Sequence, residues 1–237
     1  MLHKKDFFAL CNATKFKKMS NIHYKKAFER IPDERKELIL EVGIEEFSSK
    51  GYEKANINVI AQKAGISIGL MYKYFATKED LFLTCISRGM MILNNALTEI
   101  MASDDKLLVK AEKLIRATCK LSKENSKYIK LYNEITAEKD GERAVALARE
   151  IEVRTSRVYI TVIAQALAGG DVRNDLDPRL FAFFLDNLLL TLQFSFTCEY
   201  YKERLRIYTG VDTNEMDDEQ IVKQLLKFIE SAFTFEK

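Results

Sequence analysis

Proline and glycine are scarce: the 237 residues hold 2 prolines and 9 glycines. With abundant Leu, Ile, Ala, Lys and Glu, that scarcity favours an almost wholly helical protein. Histidine is scarcer still. His3 and His23 both lie near the N-terminus, so no His-based acid–base pair is embedded in the main body. There is no Gly-rich phosphate loop after a strand and no H-E-x-x-H, and the chain is not expected to be an enzyme or to carry a cofactor. The four cysteines (Cys11, Cys85, Cys119 and Cys198) stand far apart without C-x-x-C spacing. That argues against a disulfide framework and a zinc site and fits free thiols in a reducing cytoplasm. No secretory leader is read at the N-terminus, because the apolar run "FFAL" is too short. The one long hydrophobic run, "LFAFFLDNLLLTLQFSFTC" at 180–198, is interrupted by Asp186, Asn187 and Gln193, each costly in lipid. It reads as a buried helix, with no membrane partner.

Charge of one sign is unevenly placed. The net charge of +2 hides eight Lys/Arg against two acids in residues 1–30, so the remainder is acidic. Residues 1–31 read as a basic extension, either a solvated tail or an arm that touches nucleic acid. Met19 inside it is an alternative start.

Hydrophobic mass is plentiful, at 47% of residues, enough for a sizeable core. Pro32-Asp33 opens a helix in which Ile39, Gly43 and Phe47 recur at four-residue spacing, to about Lys50, with Gly51 as the C-cap. Two short helices follow, about 57–64 and 68–75, capped by Asn56 and Ser67 and separated at Gly65. Thr77 caps a longer helix, about 78–101, with Glu79 and Asp80 in its first turn. Beyond 103, longer helices are expected at 105–122, 125–137, 143–168, 178–208 and 217–235, split by turn-rich breaks such as "AGGDVRNDLDP".

Two short helices braced by a third make a helix-turn-helix, whose second helix enters the major groove of DNA. Gly69 falls in the first turn of that second helix, where glycine costs ~1 kcal/mol against alanine. It lets backbone approach a duplex where a Cβ would clash, with the Ser67 hydroxyl near a phosphate; taken alone it equally suits close helix–helix packing. From Lys54 to Lys78 there are four lysines and no acid, a strip suited to phosphates. Met71 and Phe75 share the inward face, while Tyr72 and Tyr74 flank it with hydroxyls in reach of phosphates.

The stretch "FSSKGYEKANINVIAQKAGISIGLMYKYFATKEDL" resembles the DNA-binding domain of the tetracycline-repressor (TetR/AcrR-like) family. The resemblance rests on Phe47, Gly51-Tyr52, Ile60-Ala61, Ala64-Gly65-Ile66-Ser67, Gly69, Tyr72, Tyr74-Phe75, Lys78 and Leu81, and it is strong over 33–93. It implies an all-α, dimeric transcriptional regulator, usually a repressor released from a double-stranded DNA operator by a small-molecule effector. The implied division is a helix-turn-helix DNA-binding domain at 32–78 and a helical effector-binding and dimerisation domain at 79–237. The DNA-facing positions it implies are Asn58, Ser67, Ile68, Gly69, Leu70, Tyr72, Lys73, Tyr74 and Lys78, with Asn56 as the cap. Ile68 and Leu70 stand where the family often has polar residues. Facing the groove they would meet thymine methyls, so an A/T-rich half-site read mainly by Lys73 is expected. The competing readings are a ligand-independent regulator and a helical protein-interaction module.

The helix at 178–208 is apolar nearly all round, so one face needs a covering partner. A homodimer through 178–208 and 217–235 supplies it, with Ile221, Leu225, Phe228, Ile229 and Phe233 on the last helix. Tyr128, Tyr132, Tyr159, Phe184, Asn187, Leu188, Thr191 and Phe194 are the candidate lining of an effector pocket.

Overall fold

A computed structural model describes residues 22–175 and 177–233, apart from the side chains of Leu93 and Arg154. Cys11, Met19 and most of the basic extension lie outside them. Among the described residues every regular element is a helix: α1 (Lys26–Glu29), α2 (Asp33–Lys54), α3 (Ile57–Lys63), α4 (Ile68–Tyr74), α5 (Lys78–Ala102), α6 (Leu107–Glu124), α7 (Ser126–Thr136), α8 (Gly141–Ala168), α9 (Pro178–Thr197), α10 (Glu199–Thr209) and α11 (Asp218–Phe233).

Local chemistry sets most of these boundaries. Gly51 takes φ +73° and ψ 164°, which breaks the helical run of α2. The Asn56 side chain accepts the amide of Asn58 (2.9 Å) and opens α3. Ser67 Oγ accepts the amide of Leu70 (3.2 Å) and opens α4. Thr77 and Asp80 form a reciprocal capping box at α5, each side chain accepting the other's amide at 3.0 Å. The expected helix 178–208 is instead two. It breaks at Cys198, which is extended at φ −105° and ψ 126°. Ser195 and Thr197 both donate to carbonyls four residues back, at 2.8 and 3.1 Å, which weakens the last turn of α9.

Two main cores result. The first gathers Ile39, Ile44, Phe47, Ile60, Met71, Phe75 and Leu81 from α2–α5. It also takes in Leu131 and Ile135 of α7 and Leu147 of α8. The expected boundary at 78/79 therefore does not divide the packing: helices α2–α4 are seated on the second half of the chain. The second core surrounds Ile115, Ile163, Leu185, Leu189 and Ile229 on α6, α8, α9 and α11.

The end of the expected extension is also a correction. Phe28 is 3% exposed and packs on the rings of Tyr74 and Phe75. The Lys25 amide donates to Tyr74 O, and its ammonium to Tyr72 O, both at 2.8 Å. His23 pairs with Glu150 of α8, and its carbonyl accepts from Thr84 Oγ1 (3.2 Å). Residues 23–28 thus strap the C-terminal end of α4 to α8. "KKAFER" shows too few apolar positions to announce this.

Candidate nucleic-acid interface and ligand cavity

The helix-turn-helix is set by α2. Arg35 donates to the Gly65 carbonyl (2.9 Å), while Gly65 turns the chain at φ +65°. Buried Glu46 accepts from the Asn56 amide (3.4 Å) and from Lys63 (3.5 Å), which ties α3 down. Met71, with no exposed area, and Tyr74 face inward, leaving the opposite side of α4 to solvent.

That outer side carries Ser67, Ile68, Gly69, Tyr72 and Lys73, all exposed. Asn56 and Asn58 are exposed beside it on α3. A Cβ built on Gly69 meets only Ser67 Oγ, at 4.0 Å. Among the described residues no neighbouring helix packs against this glycine, so close helix–helix packing within them does not account for it.

Three expected contacts fall elsewhere. Tyr74 is 6% exposed and packs at a tilt against the Phe28 ring, so it is a core residue. Tyr72 and Tyr74 flank the Met71–Phe75 stripe at equal angles, so helical spacing does not choose between them; the ring of Phe28, packed on Tyr74, covers that side. Leu70 is half-buried against the same core, which leaves Ile68 as the outward apolar residue. Lys78 donates to the carbonyls of Glu53 (3.1 Å) and Ala55 (3.2 Å) and lies over the Tyr52 ring. Its ammonium braces the end of α2. Lys63 pairs with Glu46 while staying exposed, and Lys54 and Lys73 are exposed with it in the acid-free strip.

In the second half, a cavity of about 80 Å³ opens between α5, α6, α7, α8 and α9. Tyr132 and Tyr159 line it, as expected from the sequence. The other expected lining residues do not. Phe184, Asn187 and Thr191 face outward from α9. Leu188 is half-buried away from the lining. Phe194 packs between Tyr132 and Tyr201. Tyr128 lies at the α2–α5 joint, where Arg88 donates to its hydroxyl (2.9 Å) and its ring covers Gly89.

Apolar lining such as Leu97, Leu114 and Leu190 was missed, and so were the polar residues: Asn94 on α5, Thr118 and Ser122 on α6, Glu152 and Thr155 on α8, and Asp186 and Gln193 on α9. Tyr132 donates its hydroxyl to Glu152, and Thr155 donates to Asn94 Oδ1 (3.3 Å). Burial, reinforced by the Glu152 charge, pushes the Asp186 carboxyl up to about 7. Burial and the neighbouring acids push the Tyr132 and Tyr159 hydroxyls above their ordinary value, so both stay neutral.

The outward face of α9 is apolar as well. Leu180, Phe183 and Phe184 are 54%, 62% and 51% exposed, and Phe228 of α11 is 61% exposed. The helix is long and apolar enough to cross a membrane, yet Leu185 and Leu189 on its other side are sealed in the second core.

Known proteins match both halves. Residues 39–85 match the family described as bacterial regulatory proteins, tetR family. An uncharacterised HTH-type transcriptional regulator of Bacillus subtilis, YhgD, is 23% identical over 164 residues, covering 68% of this chain and 83% of its own. A TetR family transcriptional regulator of Chloroflexus aurantiacus superposes with a TM-score of 0.61 at 20% identity, over 90% of this chain and 99% of its own. The regulator FadR of Bacillus subtilis, solved in complex with stearoyl-CoA, superposes with a TM-score of 0.67 at 17% identity, over 82% of this chain and 97% of its own. Residues 39–85 thus carry a helix-turn-helix of the tetR family of bacterial regulatory proteins, and the helices behind it share their fold with TetR-family structures.

Proposed function

We propose that the chain is a dimeric, operator-binding repressor that a small molecule in the α5–α9 cavity releases from DNA. The DNA-binding reading is carried by Gly69. It lies in the first turn of an exposed helix, at a cost in helix propensity, and its Cβ position is open to solvent. A partner outside the chain accounts for that cost. Backbone at the helix N-terminus can then approach a phosphate, with the Ser67 hydroxyl proton free to donate. Tyr72 and Lys73 supply further phosphate contacts, Asn58 flanks them, and Ile68 meets thymine methyls of an A/T-rich half-site.

One such helix reads only a half-site. The exposed apolar face of α9, joined by Phe228 of α11, fits a second copy of the chain, forming a four-helix interface. Two recognition helices then address successive major grooves about 34–36 Å apart. Ligand release follows from α5. It lines the cavity with Met90, Asn94 and Leu97 and carries Lys78 at its other end, against α2. A ligand that favours one setting of α5 alters the spacing of the two α4 helices. The site of action is the cytoplasm, where the chromosome is.

A fluorescence-anisotropy titration against the DNA flanking the protein's own gene tests this. Saturable binding that weakens steeply with salt is expected. A dimer that ignores this and all other duplex DNA at low ionic strength would sink the proposal.

A further inference from the structure

The cavity is charged in one sense. Glu152 of α8 and Asp186 of α9 both line it, and no lysine, arginine or histidine is among its lining residues. The Ser122 hydroxyl also lines it. Ser122 is 1% exposed, and its Oγ has no hydrogen-bond partner. A buried hydroxyl without a partner in a polar-lined cavity marks a place where a ligand atom or water belongs. The remaining wall is apolar, with Leu97, Leu114 and Leu190.

We infer that the ligand of this cavity is a compact organic cation: an amine whose ammonium donates to Glu152 and Asp186 while its hydrocarbon body rests on Leu97, Leu114 and Leu190. The inference rests on the effector reading of the cavity and specifies its chemistry. Two carboxylates in a desolvated space are best satisfied by a positive charge that donates hydrogen bonds to both. A carboxylate ligand would add a third negative charge. The stearoyl-CoA held by FadR is itself an anion and brings no ammonium for the pair.

The same chemistry sets a pH dependence. The groups facing Asp186 are Glu152, Tyr132 and Tyr159, and both tyrosines stay neutral. With Asp186 held up to about 7, its ionised fraction rises from about one tenth at pH 6 to about nine tenths at pH 8. The affinity for an amine rises up to about tenfold over that range.

Benzylamine, benzyl alcohol and benzoate share one size and differ in charge. Calorimetric titration of the full chain with each probe, and with stearoyl-CoA, tests the inference at pH 6 and pH 8, with operator release followed in parallel. Benzylamine is expected to bind at least about tenfold more tightly than benzyl alcohol, more tightly at pH 8, and benzoate least. The double variant Glu152→Gln/Asp186→Asn, which keeps shape and loses both charges, is expected to abolish the preference; its circular dichroism confirms folding. Equal or tighter binding of benzoate or stearoyl-CoA overturns the cationic class, and operator release by either leaves the effector reading standing. Binding of no probe overturns both. Benzylamine bound tightly with operator affinity unchanged upholds the ligand class and overturns release.

Discussion

Replacing Asp186 by asparagine is expected to stabilise the unliganded protein, and only above a definite pH. The ordinary aspartate value is 3.8, and burial beside Glu152 holds Asp186 at about 7. Below about pH 4 the carboxyl is protonated whether the chain is folded or not, and its burial costs little. Between 4 and 7 the unfolded chain gives up a proton that the folded chain keeps, and stability falls by about 1.4 kcal/mol per pH unit. Above 7 the loss levels off near ~4 kcal/mol, some three units at that rate. Asparagine has no proton to give up, so the variant escapes the decline. In melting curves across pH 4–9, the two proteins should melt together near pH 4. At pH 8 the variant should melt higher by roughly 8–16 °C, since 1 kcal/mol is worth roughly 2–4 °C in a chain of this size. Glu152→Gln should give a smaller gain, because burial is the larger cause of the shift and the Glu152 charge the second. A variant less stable than its parent at pH 8, or one whose advantage does not change with pH, would refute the assignment of Asp186 as an uncompensated buried acid.

Three further substitutions separate binding from folding. Gly69→Ala should leave the melting temperature equal or higher, because the new methyl meets nothing nearer than Ser67 Oγ at 4.0 Å and helix propensity improves by ~1 kcal/mol. Operator affinity measured by anisotropy should nonetheless fall. Phe183→Glu, placed on the exposed face of α9, should turn the dimer into a monomer in sedimentation equilibrium while the helical circular dichroism persists. Phe28→Ala removes a ring that is 3% exposed and should cost ~3–5 kcal/mol in urea denaturation; a loss under 1 kcal/mol would show that the strap before α2 is not part of the core.

What could be read from the sequence is mostly what neighbours along the chain decide. Asn56, Ser67 and Thr77 each cap a helix, because a cap needs only a short side chain and the next few amides. Gly51 and Gly65 mark their breaks because the required φ is positive and glycine alone takes it freely. The Met71–Phe75 stripe identified the inner face of α4 and the outward placement of Lys73, but it left Tyr72 and Tyr74 symmetric, and the ring of Phe28 is what separates them. Cys198 carries no such signature. The α9–α10 break is a cumulative effect of two hydroxyls competing for carbonyls, and neither is unusual inside a helix.

The cavity escaped for a different reason. Aromatic residues at helical spacing draw attention, and the tyrosines and phenylalanines of α7–α9 were expected to line it. Of these Tyr132 and Tyr159 do, while Phe184 faces outward and Phe194 fills core. Whether an apolar residue lines a hole, packs a core or awaits a partner depends on the helix opposite, which periodicity along one helix cannot report. The carboxylates were harder still. In a chain with 30% charged residues, Glu152 and Asp186 look like members of solvated helix faces. Only the packing of α8 against α9 brings them to one space without a basic side chain among its lining residues. Asp186 inside an apolar run was the available sign: a charge set where burial raises its cost needs a reason beyond stability. A ligand that supplies the missing positive charge is such a reason, and it would tie the one strained acid of α9 to the α5 helix that holds the DNA-binding unit.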